Sequence, residues 1–169
     1  MRLCSVLSLL SGSLALALLL VALSTDNWIA SVGPNHQAHS GLWHPDEDSV
    51  KDFIQATRVF TILAALAGLL SISCLILSIT PSLRNSSFSY LASLIFCITA
   101  FAAVLCSTVG MAVYTGERWK ESDQPQIQTT FAWSFYMGWI SVLFFLFTGV
   151  LSLVMHWGAP RPSYETFSA

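Results

Sequence analysis

Long apolar stretches alternate with short polar connections along this chain. Four of the stretches contain no Asp, Glu, Lys or Arg, and they are Leu3–Leu23, Val59–Ile79, Phe88–Tyr114 and Phe131–Trp157. With a rise of about 1.5 Å per residue, even the shortest covers roughly 31 Å as a helix, the thickness of a bilayer's hydrocarbon core. A water-soluble domain of this size would not bury four such stretches, because its helices need a polar face. The pattern therefore predicts a protein that spans a membrane four times.

The four stretches are predicted to be helices. Backbone groups in hydrocarbon must be hydrogen-bonded internally, which leaves only helices and closed barrels. The stretches lack the alternation of polar and apolar residues that barrel strands need. We therefore predict an all-α membrane protein, a four-transmembrane-helix bundle, as one domain over residues 1–169 with a polar tail at 158–169. The connection 24–58 is long enough for a small extracytoplasmic β-containing loop, with turns at Gly33, Pro34 and Gly41.

Small residues four positions apart occur in every predicted helix. They are Ser8 with Gly12, Ala64 with Gly68, Ala103 with Ser107, Cys106 with Gly110, and Ser134 with Gly138. Because lipid tails are as apolar as leucine, membrane helices associate through close packing of such residues. The third helix has the most of them, so we expect it to be the most enclosed of the four.

The first stretch has two interpretations. Met1 and Arg2 followed by leucines resemble the start of a signal peptide, and Ala22-Leu23-Ser24 offers a weak cleavage site. The apolar core, however, exceeds the ~7–15 residues that are usual in a signal peptide. We expect an uncleaved helix that remains in the membrane.

Composition and charge narrow the partners. The chain is 54% hydrophobic and 9% charged, with a net charge of −2 and no basic run. This excludes a nucleic-acid partner and makes the lipid bilayer the main one. Lys and Arg are balanced between the two sides, whereas every acid except Glu165 falls in the first or third connection. We predict that both termini are cytosolic, so that the sequon at Asn85 stays unglycosylated.

Candidate catalytic and ligand-binding groups are scarce. The sequence contains no paired carboxylates, no nucleophile beside a base and no phosphate-binding glycine loop. We therefore predict no enzyme activity, no catalytic residue, no metal site and no cofactor. The interiors of the spans hold no charged side chain, which argues against a pump or a coupled transporter. Asp26 and Arg58 stand at the ends of the first two predicted helices, where an ion pair would join those ends.

Histidines and cysteines leave alternatives open. His36, His39 and His44 lie near acidic residues of the first loop, where they could bind a metal, respond to luminal pH or simply be solvated. Their spacing matches no metal-binding signature, and a solvated loop is favoured. All four cysteines fall in or at the edge of predicted helices, so the loops have no disulfide. Cys4 is either a packing residue or a palmitoylation site.

Several segments, taken in order, resemble the peripheral myelin protein, epithelial membrane protein, lens fibre membrane protein and claudin superfamily. They are Ser24-Thr25-Asp26-Asn27-Trp28, Gly41-Leu42-Trp43, Ala56-Thr57-Arg58, Ala112-Val113-Tyr114-Thr115-Gly116 and Trp133-Ser134-Phe135-Tyr136-Met137-Gly138-Trp139. The resemblance implies a four-span fold in which Trp28, Gly41, Leu42 and Trp43 form the outer-loop family motif. Claudins place two cysteines after the Gly-Leu-Trp triplet, and their absence here argues against a tight-junction barrier.

Within that superfamily the chain resembles a member that resides in the granules of cytotoxic lymphocytes. The stretches that carry this resemblance are 32–43, 114–119, 125–129 and 160–166. It implies a membrane protein of cytolytic granules that promotes their exocytosis at the killing contact. Two other functions stay open, which are an adhesion or junction protein of claudin type and an auxiliary subunit of a channel or transporter.

The tail contains a candidate sorting signal. Tyr164-Glu165-Thr166-Phe167 resembles the tyrosine-based motif, in which Tyr164 and a bulky apolar residue, here Phe167, are read from an extended peptide. Pro160 and Pro162 disfavour a helix and keep the tail extended. We expect clathrin-adaptor binding through this tail and a location in the granule or lysosomal membrane and the plasma membrane. The sequence identifies no other membrane-protein partner.

Overall fold

The computed structural model describes residues 2–32, 37–43, 52–80, 86–121 and 128–158. These ranges contain four helices that are long and apolar enough to cross a membrane. They are α1 (Arg2–Ser24), α2 (Asp52–Ile79), α3 (Ser86–Glu121) and α4 (Trp133–Trp157). The predicted all-α membrane fold with four spanning helices is confirmed.

Two of the helices are longer than the apolar stretches that predicted them. α2 begins at Asp52 rather than Val59, and α3 continues past Tyr114 to Glu121. The extensions of the two helices pack against each other, because the guanidinium carbon of Arg118 lies 5.4 Å from the centroid of the Phe53 ring. A stretch without charged residues indicates only the part of a helix that lies in hydrocarbon. The ends of α2 and α3 carry charged residues beyond that part, so the absence of charge could not predict where these helices end.

The helices form an antiparallel bundle. α2 packs mainly on α3, and α1 packs mainly on α4. The start of α1 and the end of α4 lie together, since Ser5 Oγ donates a hydrogen bond to Met155 Sδ over 3.3 Å. We call this the termini end of the bundle, and the opposite end, where α1 finishes and α4 begins, the sheet end.

Three short strands cover the sheet end. β1 (Ile29–Val32) lies between β2 (Gln37–Ser40) and β3 (Gln128–Phe131), and both pairings are antiparallel. Ile29 is the register partner of Ser40 on one side and of Phe131 on the other. The prediction of strands in the first loop is therefore confirmed. The strand β3, in the connection between α3 and α4, was not predicted, because Phe131 was assigned to a helix. The β-branched pair Thr129-Thr130 before it favours a strand.

Small residues bring the helices close together, as predicted. Every member of the five predicted pairs is buried except Cys106, which is half-buried. A Cβ at Gly68 would lie 2.9 Å from Phe145 Cε1, and one at Gly138 would lie 2.8 Å from Met111 Cε. The expectation that the third helix is the most enclosed is wrong, because the apolar windows of α1, α3 and α4 are each 39% buried.

Hydroxyl groups line the contacts between helices, and most of them donate to a backbone carbonyl of their own helix. Thr61 and Ser107 are fully buried and donate to Thr57 O and Ala103 O on their own helices, at 2.7 Å each. Ser11 Oγ and Thr148 Oγ1 share a hydrogen bond of 2.7 Å between α1 and α4. Such bonds are the polar contacts that membrane helices use to hold their register.

Several predicted features lie outside the described residues. They are the sorting motif at Tyr164 and Phe167, the sequon at Asn85, and the loop histidines His36 and His44. His39 is described and exposed. All four cysteines are described and free, with Cys4 half-buried near the termini end.

Candidate functional site at the sheet end

Trp28 is the centre of the sheet end. It follows the last turn of α1 and precedes β1, and only 1% of its side-chain surface is exposed. Its Nε1 donates to Ala22 O over 2.6 Å, which satisfies a carbonyl left free by the end of α1. Its backbone joins both loops, since its N–H donates to Ser40 O at 3.1 Å and its carbonyl accepts from Ala132 N at 3.0 Å.

Aromatic rings from two helices and one strand form a cluster with this indole. Trp28 meets Tyr114 edge-on, with ring centroids 4.8 Å apart, and Phe135 at 6.4 Å. Phe131 of β3 stacks on Phe135 at 4.2 Å. Edge-on and offset aromatic pairs contribute about 0.5–1.5 kcal/mol each beyond their buried area. The cluster therefore joins α3, α4 and the sheet into one rigid unit.

Gly41 brings the first loop against the end of α1. A Cβ at this position would lie 2.3 Å from Asp26 Cα and 2.6 Å from Asp26 Oδ1. The first of these is a backbone carbon, which cannot turn aside as a flexible side chain can. Only glycine fits here, and its neighbour Leu42 is then fully buried beside Trp28.

Trp43 and Arg58 form the hydrogen bonds that hold the end of the Gly-Leu-Trp triplet against α1 and α2. Trp43 Nε1 donates to Leu23 O over 2.9 Å, and Arg58 Nε donates to Leu42 O over 2.6 Å. The guanidinium carbon of Arg58 lies 5.0 Å from the centroid of the Trp43 ring, a cation–π contact. The Gly-Leu-Trp triplet is thus held by α1 through its tryptophan and by α2 through its leucine carbonyl.

The predicted ion pair between Asp26 and Arg58 is not formed in the part of the chain that the structure describes. Arg58 contacts Leu42 O and the Trp43 ring instead. The charged guanidinium of Arg58 hydrogen-bonds to the carbonyl of buried Leu42, and a bond to a charged group contributes more than one between neutral groups. An exposed ion pair contributes only about 0–1 kcal/mol, and Asp26 is exposed.

The outer-loop family motif contains two tryptophans, Trp28 and Trp43. The structure separates them, because Trp28 is buried whereas Trp43 is 48% exposed. The sequence did not predict that Tyr114 and Phe53 pack in the core with Trp28, although both lie at or near the ends of predicted spans. It also missed Arg118, which lies over the rings of Phe53 and Tyr114 at 5.4 and 5.7 Å.

The contacts at the sheet end are structural. Its polar contacts are donations from indole, guanidinium and hydroxyl groups to backbone carbonyls, and its rings are in contact with one another. Within the described ranges, no group of three His, Cys, Asp or Glu side chains is placed to hold a metal ion. The arrangement fixes the two loops in position relative to the helices.

Comparison with known proteins places these features in a wider group. The family profile described as PMP-22/EMP/MP20/Claudin matches residues 2–152, a range that contains the sheet and nearly all of the bundle. Protein NKG7 of Homo sapiens is 51% identical over 167 residues, which cover 98% of this chain and 99% of that protein. Lens fiber membrane intrinsic protein of Homo sapiens is 30% identical over 143 residues, which cover 79% of this chain and 80% of that protein.

Proposed function

The chain belongs to the PMP-22/EMP/MP20/Claudin family, and on that premise we propose that this four-span membrane protein is a non-enzymatic component of cytolytic, lysosome-related granules. Its proposed role is to promote granule exocytosis in cytotoxic lymphocytes. The similarity to Protein NKG7 over nearly the whole length supports a close functional relationship to that protein. The lens fiber proteins, at about 30% identity, support the membrane fold and no particular location.

The tail motif is the observation that carries the granule location. Tyr164 and Phe167 follow the end of α4 at Trp157 by a few residues, so a cytosolic adaptor could read them close to the membrane. The family match ends at residue 152, before this tail. A location signal there would distinguish this chain from relatives that share only the bundle.

The bundle supports a role in organising membranes rather than in transport. The described interior combines large apolar side chains with Gly, Ala, Ser and Thr, and most of its buried hydroxyls donate to carbonyls of the helices. Charged groups inside the membrane are the usual mark of ion and proton pathways, and the four apolar stretches contain none. We propose that the protein acts through its lipid-facing and loop surfaces on other membrane components.

A substitution in the tail tests the proposed location. Tyr164→Ala should move the protein from granules to the plasma membrane, because adaptor recognition depends on the aromatic anchor. The matched control is Thr166→Ala, which changes a position between the two anchors and should leave the distribution unchanged. The measurement is microscopy of the tagged full chain in cytotoxic lymphocytes. A granule signal that persists in Tyr164→Ala contradicts the sorting role.

The exocytosis role is tested separately. Lymphocytes that lack the protein should release fewer granules on target contact while the granules keep their normal content, and the wild-type chain should restore release. Normal release in its absence would overturn the role in exocytosis and leave the location untouched. Granules with depleted content would point to granule assembly instead.

A claudin-type adhesion role is the second candidate, because family membership itself favours it. The four cysteines all lie in helices, so a disulfide does not brace the first loop as it does in claudins. Aggregation of transfected cells that otherwise do not adhere would favour adhesion over the granule role.

A further inference from the structure

The lipid-facing side of α4 shows where the membrane begins and ends. Its exposed residues follow helical spacing from Trp133, which is 50% exposed, to Trp157, which is 78% exposed. Tyr136, Leu143 and Val150 lie along the same side and are also exposed. Tryptophan at each end of an apolar stripe is the usual mark of the two membrane–water interfaces. Trp133 therefore marks the interface at the sheet end.

A similar stripe on α3 continues further than the one on α4. Leu91, Ile98 and Leu105 are exposed, and the stripe proceeds through Val109 at spacings of a helical turn or two. It ends at Trp119, which is 74% exposed. Because this side of α3 faces lipid along its length, Trp119 is continuous with a surface that the bilayer already covers.

The heights of Trp119 and Trp133 can be compared through contacts between their helices. Tyr114 of α3 and Phe135 of α4 are paired, with centroids 6.1 Å apart. Trp119 lies five residues beyond the first of these and Trp133 two residues beyond the second, towards the sheet end in both cases. Measured from ring to ring, the indole of Trp119 therefore lies further towards the sheet end than that of Trp133 by three residues, or about 4.5 Å.

The lean of the side chains is already contained in this ring-to-ring comparison, because side chains on one helix all lean towards the N-terminus of that helix. The interfacial layer on each side of a bilayer is roughly 5–8 Å thick. A difference of about 4.5 Å therefore leaves both indoles within one such layer.

Trp43 lies near this depth, beside the end of α1. Its Nε1 donates to Leu23 O in the last turn of α1. That turn is level with the start of α4, because Ser134 Oγ donates to Ala22 O over 3.2 Å. Trp43 is held by α1 and by Arg58 of α2, Trp119 belongs to α3 and Trp133 to α4, so the three indoles surround the bundle within one interfacial layer.

We propose that Trp43, Trp119 and Trp133 form an aromatic belt in the lipid headgroup layer at the sheet end, and that this belt sets the depth and tilt of the bundle. Indole is suited to that layer because its ring is apolar and its edge is polar. Lys120 stands beside Trp119 and its side chain is 73% exposed, so it can reach a lipid phosphate although it also pairs with Glu117 at 2.7 Å.

Depth-dependent fluorescence quenching tests the belt in the full chain reconstituted in phosphatidylcholine vesicles. The contribution of each indole is the difference between wild type and a Trp→Phe variant, and Trp119→Phe and Trp133→Phe remove only exposed rings. We expect both difference signals to be lost with lipids that carry a nitroxide near the glycerol. A nitroxide near the end of the acyl chain should quench them much less. Trp28→Phe is the control, since a ring buried in protein should respond to neither lipid.

The other outcomes overturn the belt. A Trp119 signal quenched by acrylamide in water, and by neither lipid, would place the indole above the membrane. A Trp119 signal shielded from water and lipid alike would place it against another protein or a second copy of this chain. Depths for Trp119 and Trp133 that differ by more than the roughly 5–8 Å of the interfacial layer would show that the two do not share one layer.

Discussion

At the scale of single residues, the Gly41-Leu42-Trp43 triplet holds the first loop through three different contacts. Gly41 leaves room for the backbone of Asp26, Leu42 fills the space beside Trp28, and Trp43 donates to the end of α1. The triplet and Trp28 could be identified from the sequence as a family motif. Their separate roles could not, because a tryptophan near a span has the same local pattern whether it faces lipid or the core.

The first prediction contrasts two glycines at the sheet end. Gly41→Ala should lower the free energy of unfolding by about 1–3 kcal/mol, because a methyl group would overlap backbone atoms of Asp26. Gly116→Ala should raise it by up to about 1 kcal/mol, since alanine favours the helix and its methyl group meets nothing. Unfolding titrations in detergent micelles measure both. Equal stability of the two variants would refute the close approach at Gly41.

At the scale of elements, hydroxyl groups hold α1 against α4 along the whole bundle. Thr25 bonds to Ser134 at 2.7 Å near the sheet end, Ser11 to Thr148 at 2.7 Å in the middle, and Ser5 donates to the sulfur of Met155 near the termini end. The sequence predicted which small residues would be buried. It could not predict which hydroxyls would face each other, because that depends on the rotation of each helix.

A second prediction measures one of these contacts. A double-mutant cycle with Ser11→Ala and Thr148→Ala should give a coupling of about 0.6 kcal/mol, the usual size for a hydrogen bond between membrane helices. Ser13→Ala is the matched control, because Ser13 is exposed and bonds only to Leu9 O of its own helix. Detergent unfolding of the single and double variants gives the coupling. Strictly additive effects would mean that the Ser11–Thr148 bond contributes nothing.

At the scale of the whole molecule, the bundle and the sheet define two ends with different compositions. The termini end joins the start of α1 to the end of α4, and the sheet end carries both loops that contain strands. The start of α1 and the end of α4 therefore lie on the same side of any membrane that the four helices cross. Which side is cytosolic remains a prediction, because Lys and Arg are nearly balanced between the ends.

A third prediction concerns this orientation. In sealed granule vesicles, protease added outside should remove a tag at either terminus and leave a tag inserted in the loop 44–51 intact, because both termini are expected in the cytosol. Detergent should then expose the loop tag, which serves as the internal control. A protected carboxyl end, or a glycan found on Asn85, would reverse the orientation.

The sequence by itself determined the number of spanning helices, the strands of the first loop and the burial of the small residues. The helices and the burial of the small residues follow from local composition, because hydrocarbon forces the backbone into helices and lets only small side chains approach closely. The strands follow from the length of the first loop and its turn residues. Tertiary structure decided that Trp28 is buried while Trp43 stays exposed, that Arg58 bonds to Leu42 O rather than Asp26, and that β3 joins the sheet. Each of these depends on contacts between segments far apart in the chain, so no local pattern of residues could contain them.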